Sequence, residues 1–189
     1  MVATLLVYTD FGGAVTAPGT KQNADALGPP QLRFKYADNN TIDTADPLPI
    51  PSSGTTRSRW KHIYLKVSVA PDTQINNMKV YTDTTGFGTG ITVLSGNEAV
   101  VNTLAADTGY DPSDVADELL TGHVIIVTTT NFFTYSSGAP KTIGISEAGN
   151  ILNAINEETD YLVLQMEVIN TAAPGDLVNE TITYEYDEI

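Results

Sequence analysis

Residues 60–69, WKHIYLKVSV, place the tightest limit on the fold. Ile63, Leu65, Val67 and Val69 are apolar at every second position, and the residues between them, His62, Tyr64, Lys66 and Ser68, are polar or amphipathic. A period of two marks a β-strand, here one with a core face and a wet face. Pro71 and Asp72 stop the ladder, because proline has no N–H to donate and presets a turn. The next run, 75–81, predicts an antiparallel partner joined by a short connection. Residues 161–169, YLVLQMEVI, repeat the pattern, with Leu162, Leu164, Met166 and Val168 on one parity and Tyr161, Val163, Gln165 and Glu167 on the other.

Further strands are predicted at 4–8, 31–37, 91–94, 123–130, 142–146 and 180–187, from alternation or from dense β-branched residues. Residues 10–27 are rich in Gly, Ala, Thr and Pro, with too few large apolar side chains to offset their ordering entropy. They predict an extended arm or long loop. Pro47, Pro49 and Pro51 exclude helix from 38–56 and predict a second irregular segment. Asp111 or Ser113 would cap one short helix over VADELL, with Asp114, Asp117 and Glu118 suiting the positive end of its dipole.

With eight or nine short strands and no repeated helical segments between them, the fold class is all-β. The expected architecture is an antiparallel β-sandwich, jelly-roll-like, with one short helix and a long N-terminal arm. Residues 1–30 form the strand and arm, and residues 31–189 the sandwich domain. A chain of 189 residues suits one such unit. Its expected core comprises Phe34, Ile63, Leu65, Val67, Val80, Ile125, Val127, Leu162, Leu164, Met166 and Ile182.

Nine basic and 23 acidic residues leave a formal charge of −14, which disfavours nucleic acid and anionic membrane as partners because both would repel the chain. With no cysteine there is no disulfide framework and no thiolate metal site. The amino terminus lacks the basic and long apolar stretches of a leader, and no apolar run reaches the roughly 20 residues of a membrane helix, so a soluble protein is expected.

Candidate chemistry is sparse. His62 and His123 each begin a strand without a nearby ligand-spaced partner, and read as strand-edge or polar-face residues before metal ligands. Glu167 and Glu185 could be a glycosidase pair, but the simpler reading puts them on a solvated sheet face. Asp107, Asp111, Asp114, Asp117 and Glu118 lack calcium-loop spacing and read as capping and solvating groups. GFGTG at 86–90 is a turn, since no lysine follows it, and G-x-S-x-G is absent. Phe132, Phe133 and Tyr135, in an expected loop, could stack on a sugar or on a protein neighbour. No catalytic residue, cofactor site or metal site is assigned, and an enzyme is not expected.

Three segments, SRWKHIYLKVSV at 58–69, INNMKVYTD at 75–83 and TDYLVLQMEVINTAAPGDLVNETITYEYDEI at 159–189, together resemble structural proteins of tailed viruses of bacteria and archaea. The shared features are a tryptophan-led strand, an I-N-N-hydrophobic-K strand, a D-Y-hydrophobic-V-L-Q strand, a T-A-x-P-G turn and a tyrosine-rich Y-D-E terminus. The resemblance covers about a third of the chain and transfers no catalytic residue. It implies a non-enzymatic virion component, a capsid decoration, auxiliary or other surface protein. Its partners would be copies of itself and other virion proteins such as the major capsid protein. A carbohydrate-binding sandwich module of a receptor-binding or adhesin-type protein is the alternative, and a calcium-dependent adhesin-like domain a third.

Overall fold

The computed structural model of the protein describes residues 2–27, 31–41, 44–175 and 177–189. Its strands are β1 (Thr4–Ala14), β2 (Ala17–Asn23), β3 (Thr55–Arg57), β4 (Lys61–Val69), β5 (Ile75–Tyr81), β6 (Ile91–Glu98), β7 (Ile126–Asn131), β8 (Lys141–Thr142), β9 (Leu162–Ile169) and β10 (Thr183–Glu188). Seven form one antiparallel sheet in the order β2-β1-β4-β9-β6-β7, with β3 also on β9; the other three form a small sheet, β10-β5-β8. The all-β class and the packing of two antiparallel sheets agree with the sequence reading. The division into seven and three strands differs from the eight strands in two Greek keys of a jelly roll.

The alternating residues of β4 and β9 explain where the main core sits. Ile63, Leu65 and Val67 lie beside Leu162, Leu164, Met166 and Val168 on the inner face of the large sheet. They pack against Ile75, Met78 and Val80 of β5 and against Ile143, Ile145, Leu152 and Phe132. Each such side chain, fully buried, contributes about 1.5–3 kcal/mol. β3 and β4 follow one edge of β9 and are separated by a bulge: three residues between Arg57 and Lys61 face two between Glu167 and Leu164. Ser58 closes it, its N–H donating to Met166 O and its Oγ accepting from Met166 N, both at 2.9 Å.

Several local expectations are corrected. β4 and β5 do not pair; the connection after Val69 carries the chain from one sheet to the other, so β4 meets β1 and β9 while β5 meets β10 and β8. Residues 10–27 are not an extended arm. They complete β1, turn through Val15 and Thr16 into β2, and end in a 3-10 turn at Ala24–Leu27. Gly13 permits the tight return, because its φ is +88° and a Cβ there would fall 2.3 Å from Ala17 O. The small side chains that argued against order are therefore compatible with a hairpin that joins the sheet. The expected boundary after residue 30 lies outside the described residues.

The predicted strand at 31–37 is irregular, because its backbone bonds elsewhere: Arg33 N–H donates to the Asn40 side chain, and Lys35 O accepts from Arg59 N–H. The expected helix over VADELL, 115–120, does not form. Its polar groups bind other segments: Asp117 Oδ1 accepts from Arg57 N–H, and Glu118 O accepts from Gln165 Nε2. In β7 the buried residue is Ile126, so Val127 is exposed and Ile125 only partly covered, against the expected core assignment. Phe34 and Ile182 are partly buried against the main core.

Candidate functional site

The outer face of the large sheet was expected to be wet, and it is covered. His62 and Tyr64 of β4, Val163 of β9, and Trp60 and Tyr161 just before those strands lie under residues of the 99–125 connection. Leu104, Tyr110, Leu120 and His123 pack there, with Ile126 of β7, as a second buried cluster. The rings interlock edge to face: Tyr161 stands at 80° to His62 and 85° to Tyr64, with centroids 5.2 and 5.4 Å apart, and Tyr110 is 4.6 Å from His62.

The two histidines, distant in sequence, meet here. Their Nε2 atoms are 3.3 Å apart. Ile125 N–H donates to His123 Nδ1 at 3.2 Å, which places the His123 proton on Nε2 and directs it at His62 Nε2. Neither ring can take a further proton at these nitrogens without breaking one of those bonds. Burial, reinforced by His123 and Lys61, holds His62 well below its ordinary pKa, and burial holds His123 down to about 4. The pair is a neutral clasp between β4 and the connection over it. The expectation of strand-edge residues is thus corrected.

Beside it, Asp10 of β1 accepts from the Tyr161 hydroxyl at 2.5 Å, and that hydroxyl accepts from Asp107 N–H at 3.0 Å. Burial pushes the Asp10 carboxyl up to about 6, against the opposing pull of Tyr161 and of Lys21. Lys21 itself pairs with Asp107 at 2.5 Å. Burial also pushes up the phenols of Tyr64, Tyr110 and Tyr161. The Tyr110 hydroxyl donates to Gly12 O at 2.7 Å, and Thr16 N–H donates to Tyr110 O at 2.8 Å, so the β1–β2 hairpin is fastened to the same layer. Lys61 is buried, donates to Asn39 O at 2.7 Å and has its pKa lowered to about 8 by that burial. Asp10, Lys61, Tyr110, Tyr161 and the two histidines are buried and each is hydrogen-bonded to another segment, an arrangement that fastens segments together.

The other sequence candidates are dispersed. Glu167 pairs with Arg57 at 2.7 Å in the large sheet, and Glu185 lies 3.6 Å from Lys79 in the small one. Asp111 accepts from Val124 N–H, Glu118 from Asp114 N–H, and Asp117 also from the Tyr36 hydroxyl. Among the described residues no three His, Asp or Glu side chains converge in a way that could hold a metal ion. Phe132 is buried in the main core, which corrects its placement in an exposed aromatic group. Phe133 and Phe87, 5.6 Å apart and at 82°, line an open depression of about 470 Å³ with Thr84, Thr85, Thr89 and Asn131.

Asp10, Tyr64 and Tyr161 were not singled out as a polar group by the sequence reading. A signal was present: the off-core parity of the two segments begins with His62 and Tyr64 and with Tyr161, Val163 and Gln165, and reaches charged residues only at Lys66 and Glu167, where a solvated face would carry Lys and Glu throughout. No protein-family model, curated protein or solved structure matches the chain.

Proposed function

We propose that the chain is a non-enzymatic structural component of a virus particle of the tailed type. It would act as a capsid decoration, auxiliary or other surface protein that assembles through repeated contacts with copies of itself and with other virion proteins such as the major capsid protein. One observation carries the reading: the three segments that resemble virion proteins supply β4, β5, β9 and β10. These are adjacent central strands of the large sheet and two paired strands of the small one, and together they line both sides of the main core. The resemblance therefore falls on one spatial unit. Sealing of the histidines and of Asp10 supports a role in contact over one in turnover. Mass spectrometry and antibody labelling of purified particles from the producing host test the reading. A stoichiometric signal on intact particles is expected, and its absence from particles would overturn it.

A second reading, a carbohydrate-binding module, is favoured by the depression at Phe87 and Phe133, where ring surface is surrounded by threonine hydroxyls and the Asn131 amide. It requires saturable glycan binding that Phe133→Ala removes. A glycan array with no signal would end it.

A further inference from the structure

One turn of the cover over the large sheet reaches inward with a single buried side chain. In 121–125, Thr121, Gly122 and Val124 are exposed and Ile125 is partly covered, and only His123 is buried. Both ends of the turn are fixed to the sheet: Leu120 N–H donates to Gln165 Oε1 of β9, and Ile126 opens β7 opposite Glu98 of β6. Between those ends the turn closes on itself, with Gly122 N–H on Leu119 O at 2.7 Å and His123 N–H on Leu120 O at 3.2 Å. Val124 N–H binds Asp111, which belongs to the same connection. The His123 ring is what meets the floor beneath, its Nε2 3.3 Å from His62 Nε2 and its centroid 5.4 Å from that of Trp60, the one tryptophan of the chain.

We infer that residues 121–125 form an acid-operated flap: a proton taken up by the His62–His123 pair breaks their mutual bond, expels the His123 ring and lifts the turn from the large sheet while both of its ends stay attached. A proton can enter only where a bond now stands. His62 Nε2 accepts from His123 and His123 Nδ1 accepts from Ile125 N–H, so protonation either turns two N–H groups on each other or removes the Ile125 bond. No counter-ion is placed to keep the charge inside. From β1, Asp10 lies opposite His62 in register, but it is bound to Tyr161 and, titrating at about 6, is neutral before His123 takes a proton at about 4. From β4 itself, Lys61 adds a like charge. Tyr110 of the connection and Tyr161 before β9 present rings whose hydroxyls burial keeps protonated. Asp38, Asp111 and Glu118 are engaged by the N–H groups of Gly12, Val124 and Asp114. An unpaired buried cation is driven toward water, and the way out is short, because the neighbours of His123 on both sides, Gly122 and Val124, are already at the surface. The inner core takes no part, so the opening is local. The inference does not depend on the virion reading.

Trp60 is buried beside His123 and reports on the flap directly. In the full chain, acrylamide quenching of its fluorescence should rise about threefold or more between pH 7 and about pH 4.5, with the far-ultraviolet circular dichroism unchanged. Phenylalanine carries no titrating nitrogen, so in His123→Phe the quenching should be the same at both pH values. Hydrogen exchange of the unaltered protein, corrected for the intrinsic effect of pH, should show protection lost at 121–125 and kept at 162–169 of β9, which holds the inference to account even if the variant fails to fold. Flat quenching in the wild type, an equal rise in His123→Phe, or protection lost from β9 together with 121–125 would each overturn it. None of these outcomes bears on the particle test.

Discussion

Along β4 and β9 the two faces of the large sheet are both buried, and they are buried by different means. The inner face is apolar: Leu65, Val67, Leu164 and Met166 pack against β5 and its neighbours, and the small sheet provides a matching regular surface. The outer face is covered by an irregular connection with little regular structure, and its contacts are edge-to-face rings and hydrogen bonds among Asp10, Tyr161, Tyr110, His62 and His123. Apolar burial is non-directional and tolerant of local adjustment, whereas a buried polar layer holds only in one arrangement of donors and acceptors. The inner face thus supplies most of the stability. The outer layer sets where the 99–125 connection and the hairpin tip lie.

The largest test of that difference is Leu164→Ala, a fully buried deletion in the apolar layer. Urea unfolding should show a loss of about 2–5 kcal/mol, nearly independent of pH. Tyr161→Phe attacks the other face by removing the donor to Asp10 and the acceptor for Asp107 N–H. It should cost about 1–3 kcal/mol at pH 7. A loss as large as that of Leu164→Ala would mean that the polar layer is no weaker a support than the apolar one.

Acid separates the faces further. Both histidines titrate below their ordinary 6.5 in the folded protein, so the unfolded chain binds protons that the folded one refuses. Their contribution is complete above about pH 6.5 and is lost as pH falls toward 4. Asp10 has the opposite sign. Its folded value of about 6 lies above the ordinary 3.8, so protonation between those values favours the folded state and partly offsets the histidines. In His123→Phe the decline of stability between pH 6.5 and 4 should be shallower than in the wild type, whatever the change at pH 7. Equal slopes in the two proteins would remove the clasp from the account.

Asp10→Asn should be a smaller change with a telling direction. The amide keeps an acceptor for Tyr161, offers a donor toward the otherwise unpartnered Tyr64 hydroxyl, and buries no charge. Stability at pH 7 should rise by on the order of 1 kcal/mol, and the advantage should shrink below about pH 6, where the wild-type carboxyl is itself neutral. Smallest of all, Glu185→Gln removes an exposed pairing with Lys79 and should shift stability by less than about 0.5 kcal/mol.

The strands with clear alternation were legible. Ile63, Leu65, Val67, Leu162, Leu164 and Met166 all lie in the core their parity predicted, and β10 forms at the tyrosine-rich end. Partnership was not legible. Nothing in 70–74 distinguishes a hairpin turn from a crossing between sheets, and the choice rests on whether β5 finds better burial against β10 and β8 than beside β4. The helix expected over 115–120 failed for a related reason: capping signals are local, and here Asp117 and Glu118 bind Arg57 and Gln165 across the fold. His62 and His123 were visible one at a time, but their meeting depends on how 61 residues of chain return to the sheet.

By itself the amino-acid order determined the all-β class, the identity of the main core strands and the acidic exterior, because alternation and charge act through neighbours a few positions away. Only the tertiary structure decided which strands pair, that the second face of the large sheet is dry, and that Asp10, Tyr161 and two histidines share one enclosure. Those outcomes depend on the long-range competition among surfaces for burial, in which each segment's best partner is set by every other segment.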